Sequence, residues 1–384
     1  MNSMLLANAD LVLSDRVCER ASLLIRDGVI EAINPSSVDN STITHDLQGG
    51  LLIPGLIDLH CDALEKEVEP RSGVQFPLDF ACAQADRRNA MAGITTVYHA
   101  LSFANHELGV RNNQTAADLA AAVNHWNEQA IVDNRVHVRY EVTDDSAPEI
   151  LQSLMEKGLV QMLSFMDHTP GQGQFKDVAA FRAFHTKNYR KSDEEVDAII
   201  ADKQVKAQGA LARMQRLADT ARQFGVPLAS HDDDHEARVD TLLGLGATIS
   251  EFPINEKTAA YARQSGLSTV FGSPNVIRGK SQSGSMRAID AITLGVADCL
   301  CADYSPATLL PAAFKAQQDA NLSLPEAISL VSANPARAAG LHDRGHIAEG
   351  LRADLVLVRR TGQLPLAERV WVNGREVASA FTRG

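Results

Sequence analysis

A chain of 384 residues, 45% hydrophobic and 22% charged, can bury a large core as one big barrel or as a barrel with an accessory domain. Its formal net charge of −12 argues against broad nucleic-acid binding, and no apolar stretch is long enough to span a bilayer. Five scattered cysteines, at 18, 61, 82, 299 and 301, form neither a disulfide framework nor a zinc-finger spacing and read as small buried hydrophobes in a reducing compartment.

The first segment, MNSMLLANADLVLSDRV, has no basic stretch ahead of its apolar residues. It is a poor signal peptide, and the expected location is the cytoplasm. Residues 4–52 read as short strands at 11–13, 21–25 and 29–33, separated by the turns Ser14-Asp15 and Arg26-Asp27-Gly28. The C-terminal piece has the same texture: runs at 353–358 and 369–372 precede Asn373-Gly374, a strong hairpin signal. Two β-rich ends around a long middle predict a small β-sandwich domain assembled from residues 1–52 and 345–384.

The middle, residues 53–344, alternates short apolar runs with helical patterns. Candidate strands are 55–60, 95–100, 135–142, 159–165, 226–230, 248–252, 267–271 and 299–302, with amphipathic helices such as 115–128, 207–223 and 324–332 between them. Alternation of this kind predicts an α/β chain, a TIM-like (β/α)8 barrel with its chemistry at the C-terminal ends of the strands. The interval 169–225 is too long for a plain crossover and reads as a helical insertion. Its polar part, 187–207, suits a lid or a subunit contact, so a homo-oligomer is one arrangement the chain allows.

The first barrel strand ends Gly55-Leu56-Ile57-Asp58-Leu59-His60-Cys61-Asp62. Residues i and i+2 of a strand share a face, so His60 and Asp62 are expected to project together, a nitrogen and a carboxylate suited to a divalent transition metal. A lone His-x-Asp is weak, and a single His at a strand end is more often a hydrogen-bonded structural residue. The weight comes from repetition: Glu141 ends the third strand, His168 follows the fourth, His231 ends the fifth and Asp303 ends the eighth. In a barrel these converge on one mouth. They supply ligands for two divalent metal ions, with Asp303 also handling protons. Two ions roughly 3.5–4 Å apart activate water and polarise the group it attacks. Zinc is the first expectation, and such donors also accept manganese or iron. Asp232 is placed to orient a ligand histidine, whereas Asp234 and His235 read as a solvated turn. His99 and His137 read as core or supporting residues. His45, His106, His125, His185, His342 and His346 read as surface or loop.

After strand seven comes Gly272-Ser273-Pro274-Asn275-Val276-Ile277-Arg278-Gly279-Lys280-Ser281-Gln282-Ser283-Gly284-Ser285. Barrel phosphates often sit beside strands seven and eight, and here backbone N–H groups and two cations are on offer. Arg278, Lys280, Ser281, Ser283 and Gly284 are therefore substrate-binding candidates. The segment lacks the upstream glycine of a P-loop, and a flexible polar turn is the plain alternative.

With these residues in place the chain resembles the amidohydrolase superfamily and, within it, the PhnM family of diphosphatases of the carbon–phosphorus lyase pathway. The motifs that carry the resemblance are PGLIDLHCD with EKEVEPR, AGITTV, SFMDHTPGQGQF, ASHDDD, EFP, GSPNVIRG with SGS, CADYSPATLLPAAF, NPARAAGL and EGLRADLVLV. SFMDHTPGQGQF and ADYSPATLL belong to that branch; PGLIDLH and RADLVL are general to the superfamily. The resemblance implies a metal-dependent barrel with a split β-domain. It also implies hydrolysis of α-D-ribose 1-methylphosphonate 5-triphosphate, a small phosphorylated and phosphonylated substrate, to the 5-phosphate and pyrophosphate. Asp303 would accept a proton from the attacking water, and Arg71, which closes EKEVEPR, joins the substrate-binding candidates. The chain departs from the family pattern at His60-Cys61-Asp62-Ala63, where His-Thr-Asp-Asn is usual, and at Tyr140-Glu141-Val142, where Cys-Glu-Leu is usual. Its loop 278–285 departs as well. The rivals are C–N bond cleavage on the same scaffold, as by a deacetylase or cyclic-amide hydrolase, a related phosphorylated substrate, and a non-enzymatic scaffold. The last predicts lost ligands, and all six are present.

Overall fold

The computed structural model describes residues 3–105, 111–170, 178–189, 192–281 and 284–380. The chain opens with β1 (Ser3–Val12), β2 (Val17–Arg26), β3 (Val29–Ile33) and β4 (Ile43–Pro54). It then runs through β5 (Leu56–Cys61), β6 (Ile94–Phe103), β7 (Asp133–Glu141), β8 (Met162–Met166), β9 (Leu228–His231), β10 (Ile249–Glu251), β11 (Ser268–Gly272) and β12 (Cys299–Cys301). It closes with β13 (Leu355–Thr361), β14 (Leu364–Val372) and β15 (Arg375–Ser379).

The terminal strands form one seven-stranded sheet in the order β15-β14-β13-β4-β1-β2-β3. The join between the two chain ends is β13 on β4, antiparallel from Leu355 opposite Pro54 to Val358 opposite Leu51. The small β-domain expected from both termini is this sheet, with a core of its own. Leu6, Leu23, Ile30, Leu52, Leu357 and Trp371 share that core although β2 and β14 are far apart in strand order. The β2–β3 and β14–β15 turns touch: a Cβ on Gly28, whose φ is +85°, would lie 2.5 Å from Asn373 Oδ1.

Strands β5 to β12 make an eight-stranded sheet in sequential order, each neighbouring pair parallel. Its outward face is apolar. Val136, Val138 and Tyr140 of β7 pack with Leu119 and Val123 of the helix Asn113–Trp126 and with Leu151 and Met155 of the helix Pro148–Glu156. The alternate residues His137, Arg139 and Glu141 take the other face, as the two-residue period of a strand requires. Emptying one outward position, for example Phe165→Ala, would cost about 3–5 kcal/mol.

The barrel closes at its mouth by backbone pairing. The Asp303 N–H donates to His60 O at 2.8 Å and the Asp62 N–H to Asp303 O at 3.0 Å. Lower down, residues 330–331 wedge the seam: the Ile57 N–H meets Val331 O at 2.9 Å and the Leu300 N–H meets Leu330 O at 2.8 Å. Asp58 Oδ1 staples the gap, accepting from the His60 N–H at 3.1 Å and the Ala302 N–H at 2.9 Å. The insertion between β8 and β9 carries helices at Val178–Tyr189, Asp193–Ala207 and Ala210–Phe224, the middle one started by a capping box between Ser192 and Glu195. No helix among the described residues is long and apolar enough to cross a membrane.

Candidate metal centre and active site

Three donors from three strand ends meet at the mouth. His60 of β5, His231 of β9 and Glu251 of β10 each offer a ligand atom within 4.8 Å of the others. Glu251 is fully buried, and its Oε1 lies 3.0 Å from His60 Nδ1. Burial, then the nearby charges of Arg139 and His231, hold the His60 imidazole well below its usual pKa. A neutral imidazole is the form a metal takes. Two buried donor atoms here lack a hydrogen bond: Glu251 Oε2 and His231 Nδ1. The Asp232 carboxylate stands 3.3 Å from His231 Nδ1, outside hydrogen-bonding geometry. Glu251 Oε2 in turn stands 3.5 Å from His137 Nε2. Buried atoms without a hydrogen bond leave room for a further partner, and two nitrogens with a carboxylate suit a divalent cation.

A second group adjoins the first, the His168 and His231 ring centroids being 6.5 Å apart. His168 Nδ1 is 3.0 Å from Glu141 Oε2. Glu141 Oε1 accepts from Thr143 Oγ1 at 2.6 Å and meets Lys203 Nζ at 3.0 Å. Burial works to raise the Glu141 pKa, but Lys203, His168 and Thr143 outweigh it and hold the carboxyl well below the usual range. Lys203 comes from the insertion helix Asp193–Ala207, so the insertion reaches the mouth. Its Nζ also donates to Thr143 Oγ1 at 3.0 Å.

Asp303 completes the floor. Its Oδ2 lies beside Gly272, 3.6 Å from where a Cβ would stand, and Phe252 borders the same spot. The Phe252 ring packs on His60 and His231 with centroids 5.0 and 5.2 Å away. Burial, then the Asp62 charge, pushes the Asp303 carboxyl up to about 7. The Asp62 carboxylate faces two arginines, Arg111 at 3.4 Å and Arg139 at 3.9 Å. Asp232, Phe252 and Asp303 all hold left-handed backbone, with φ of 55°, 53° and 54°. Such strain gathers where surrounding structure fixes a functional geometry.

The amidohydrolase family model matches residues 51–377. The chain belongs to the amidohydrolase family. Within it, the chain is 34% identical over 379 residues to the α-D-ribose 1-methylphosphonate 5-triphosphate diphosphatase of Escherichia coli, covering 97% of this chain and 100% of that protein, and it belongs with that PhnM family. The fold is shared with an N-acetylglucosamine-6-phosphate deacetylase from Pasteurella multocida, at a TM-score of 0.67 and 14% identity over 98% of this chain and 100% of that one. It is shared too with an N-isopropylammelide isopropylaminohydrolase from Burkholderia multivorans, at a TM-score of 0.65 and 16% identity over 99% of each chain.

In this amidohydrolase the rim candidates are spread out. Arg278 is exposed and its guanidinium donates to Tyr304 Oη at 3.4 Å, next to Asp303. Lys280 and Gly284 are exposed on the same loop, and Ser281 is half-buried. Arg71 is exposed, in an isolated bridge with Val74. Ser283, His106 and the GQGQF of the fourth-strand motif lie outside the described residues, as does the His185 side chain. Asp232 stands beside His231; burial works to raise its pKa, but His231, His168 and Arg238 hold it low. Arg238 ties the loops together, reaching Asp167 Oδ2 at 3.4 Å, Asp233 Oδ1 at 3.4 Å and His231 O at 3.5 Å. His137 stays in the core, between Leu59 O and Ser164 Oγ at 3.0 Å each.

Sequence reasoning passed over Glu251, Arg139 and Lys203. Glu251 could have been found, because it stands at the end of the sixth strand. Arg139 had a signal too, lying two residues before Glu141 on one strand face. Lys203 had none.

Proposed function

We propose that this amidohydrolase cleaves a phosphoanhydride, converting α-D-ribose 1-methylphosphonate 5-triphosphate to the 5-phosphate and pyrophosphate. The observation that carries the reading is the 34% identity that runs the whole length of the Escherichia coli diphosphatase. The donor set supports it. His60, His231 and Glu251 would hold one divalent ion; Glu141, His168, Asp62 and Asp303 surround the place for a second. When bound, two such ions activate water and offset negative charge on the group attacked. Zinc is the proposed metal, with manganese or iron as alternatives for the same donors.

The remaining work falls to the chain. Asp303 takes the proton of the attacking water, its carboxylate beside Gly272. Asp232 steadies His231, and Thr143 and Lys203 steady Glu141. Arg278 and Lys280 hold phosphate oxygens at the rim, with Ser281, Ser283, Gly284 and Arg71 near the path. Residues 1–52 and 345–384 form the accessory domain and 53–344 the catalytic one. Five free cysteines fit a cytoplasmic enzyme.

The test is product analysis with metal-loaded enzyme. Pyrophosphate release from the ribosyl triphosphate is the expected result. Amine or carboxylate release from N-acetyl or cyclic-amide substrates, with no pyrophosphate, would replace this reading with C–N hydrolysis.

A further inference from the structure

Arg139 and Arg111 stand together at the mouth, and none of the metal or proton chemistry uses them. Arg139, on β7, is 7% exposed. A guanidinium carries five donors. That of Arg139 makes one hydrogen bond among the described residues, to Ala100 O at 3.4 Å, and its Nε is buried with no hydrogen-bond partner among them. Its carboxylate contacts are long, 3.9 Å to Asp62 Oδ2 and 3.9 Å to Glu65 Oε2. A buried cation so sparsely satisfied is unusual, because buried donors are nearly always paired. Arg111, at the rim, is held in place: its Nε donates to Glu65 Oε2 at 2.6 Å, while Glu65 Oε1 accepts from the Ser102 N–H at 3.0 Å. Glu65 is thereby a buried anchor for Arg111. Arg139 reaches toward the strand ends at the mouth: it lies 3.9 Å from the carboxylate of Asp62, whose N–H donates to Asp303 O at 3.0 Å.

We propose that Arg139 and Arg111 form an anion subsite that binds a tetrahedral phosphorus oxyanion of the substrate, Arg139 inside and Arg111 at the rim. The identity of the anion rests on the phosphoanhydride reading above. Guanidinium groups match such oxyanions with paired, charge-assisted hydrogen bonds. The subsite lies on the β5–β7 side of the mouth, across from the loop that carries Arg278 and Lys280. A substrate charged at both ends would be held from both sides.

The experiment is calorimetric titration of metal-loaded wild type, Arg139→Gln, Arg139→Lys and Arg111→Gln with inorganic pyrophosphate and, separately, with methylphosphonate. Loss of about tenfold or more in affinity for one anion is expected in both Gln variants, with partial retention in Arg139→Lys. Loss confined to pyrophosphate assigns the subsite to the phosphate chain; loss confined to methylphosphonate assigns it to the phosphonate end. Unchanged affinity for both anions in both Gln variants overturns the proposal, as does absence of binding to wild type. If Arg139→Gln does not fold, Arg111→Gln and Arg139→Lys decide. Wild type that releases no pyrophosphate, with binding lost in the variants, leaves the subsite standing and removes the reaction. Wild type that hydrolyses the triphosphate, with variants binding as it does, removes the subsite alone.

Discussion

His60 Nδ1 and Glu251 Oε1 are 3.0 Å apart and join the first barrel strand to the sixth inside a fully buried pair. With His231 they are, among the described residues, the three side chains whose donor atoms come close enough to hold a metal ion. Purified protein is expected to carry close to two divalent ions per chain. His60→Ala, Glu251→Ala and His168→Ala should each lose at least one, read by elemental analysis. Full metal content in Glu251→Ala would return that residue to a structural role.

Asp303→Asn tests the proton path. The amide keeps the size of the side chain and removes the base. Metal content should hold while kcat falls by about two orders of magnitude or more, the usual worth of a general base. Near-native turnover with intact metal would move the proton to Glu141 or Asp232.

The metal-free protein should show a distinctive pH dependence. Burial pushes Asp58 up to about 7, and burial with Asp62 does the same to Asp303. Carboxyls raised above their unfolded values favour the folded state while protonated, and that contribution is lost as pH rises through the folded pKa. Glu141 and Asp232 are held low, so their stabilisation is already complete above about 4.5, the unperturbed glutamate value. Between pH 4.5 and 7 the raised pair works against His60, His99 and His137, whose burial holds their pKa low and so adds stability as pH rises toward the usual histidine value. The contribution of Asp303 is isolated by comparison: the melting temperature of chelator-treated wild type should drop relative to that of chelator-treated Asp303→Asn as pH climbs through that window. Parallel profiles would mean that Asp303 titrates normally.

Lys203 predicts a mechanical effect. Its contacts with Glu141 and Thr143 pin the insertion helix to the mouth. In Lys203→Ala, amide exchange across Asp193–Ala207 should speed up while the terminal sheet stays as protected as before. Unchanged exchange would show that the helix is held by its other contacts, such as that of Lys206 with Asp145.

Arg278 and Lys280 are exposed on the rim, and a cation that binds phosphate equally in ground and transition states changes binding alone, so their replacement by Ala should raise KM more than it lowers kcat. Steady-state kinetics on the best substrate decides; if neither parameter moves, the loop is only a turn.

Much of this was legible because strands and their ends obey local rules. An apolar run that stops at His, Glu or Asp marks both a strand and a site, and the eight predicted runs overlap β5 to β12. Asn373-Gly374 announced the last hairpin by turn chemistry alone. Glu251 went unnoticed because the expected sixth strand ran to Phe252, whereas the strand ends at Glu251. The contacts of Asp62 with Arg111 and Arg139 were not legible, since those partners lie 49 and 77 residues further along the chain. Lys203 could not be placed, since its partner Glu141 is 62 residues earlier and only tertiary packing brings an inserted helix back over the barrel.

The join of β13 to β4 also bears on how the molecule is made. On the ribosome, β4 emerges with β1, its parallel neighbour, but its other edge stays bare until Leu355–Val358 has been synthesised. For about 300 residues of elongation, some tens of seconds at typical rates, that edge is open to pairing with another nascent chain. The barrel must condense in the meantime, with its accessory sheet half built. A chain interrupted before Leu355 would keep every proposed ligand and still present that edge permanently. Aggregation, ahead of any loss of chemistry, is the expected fate of such a fragment.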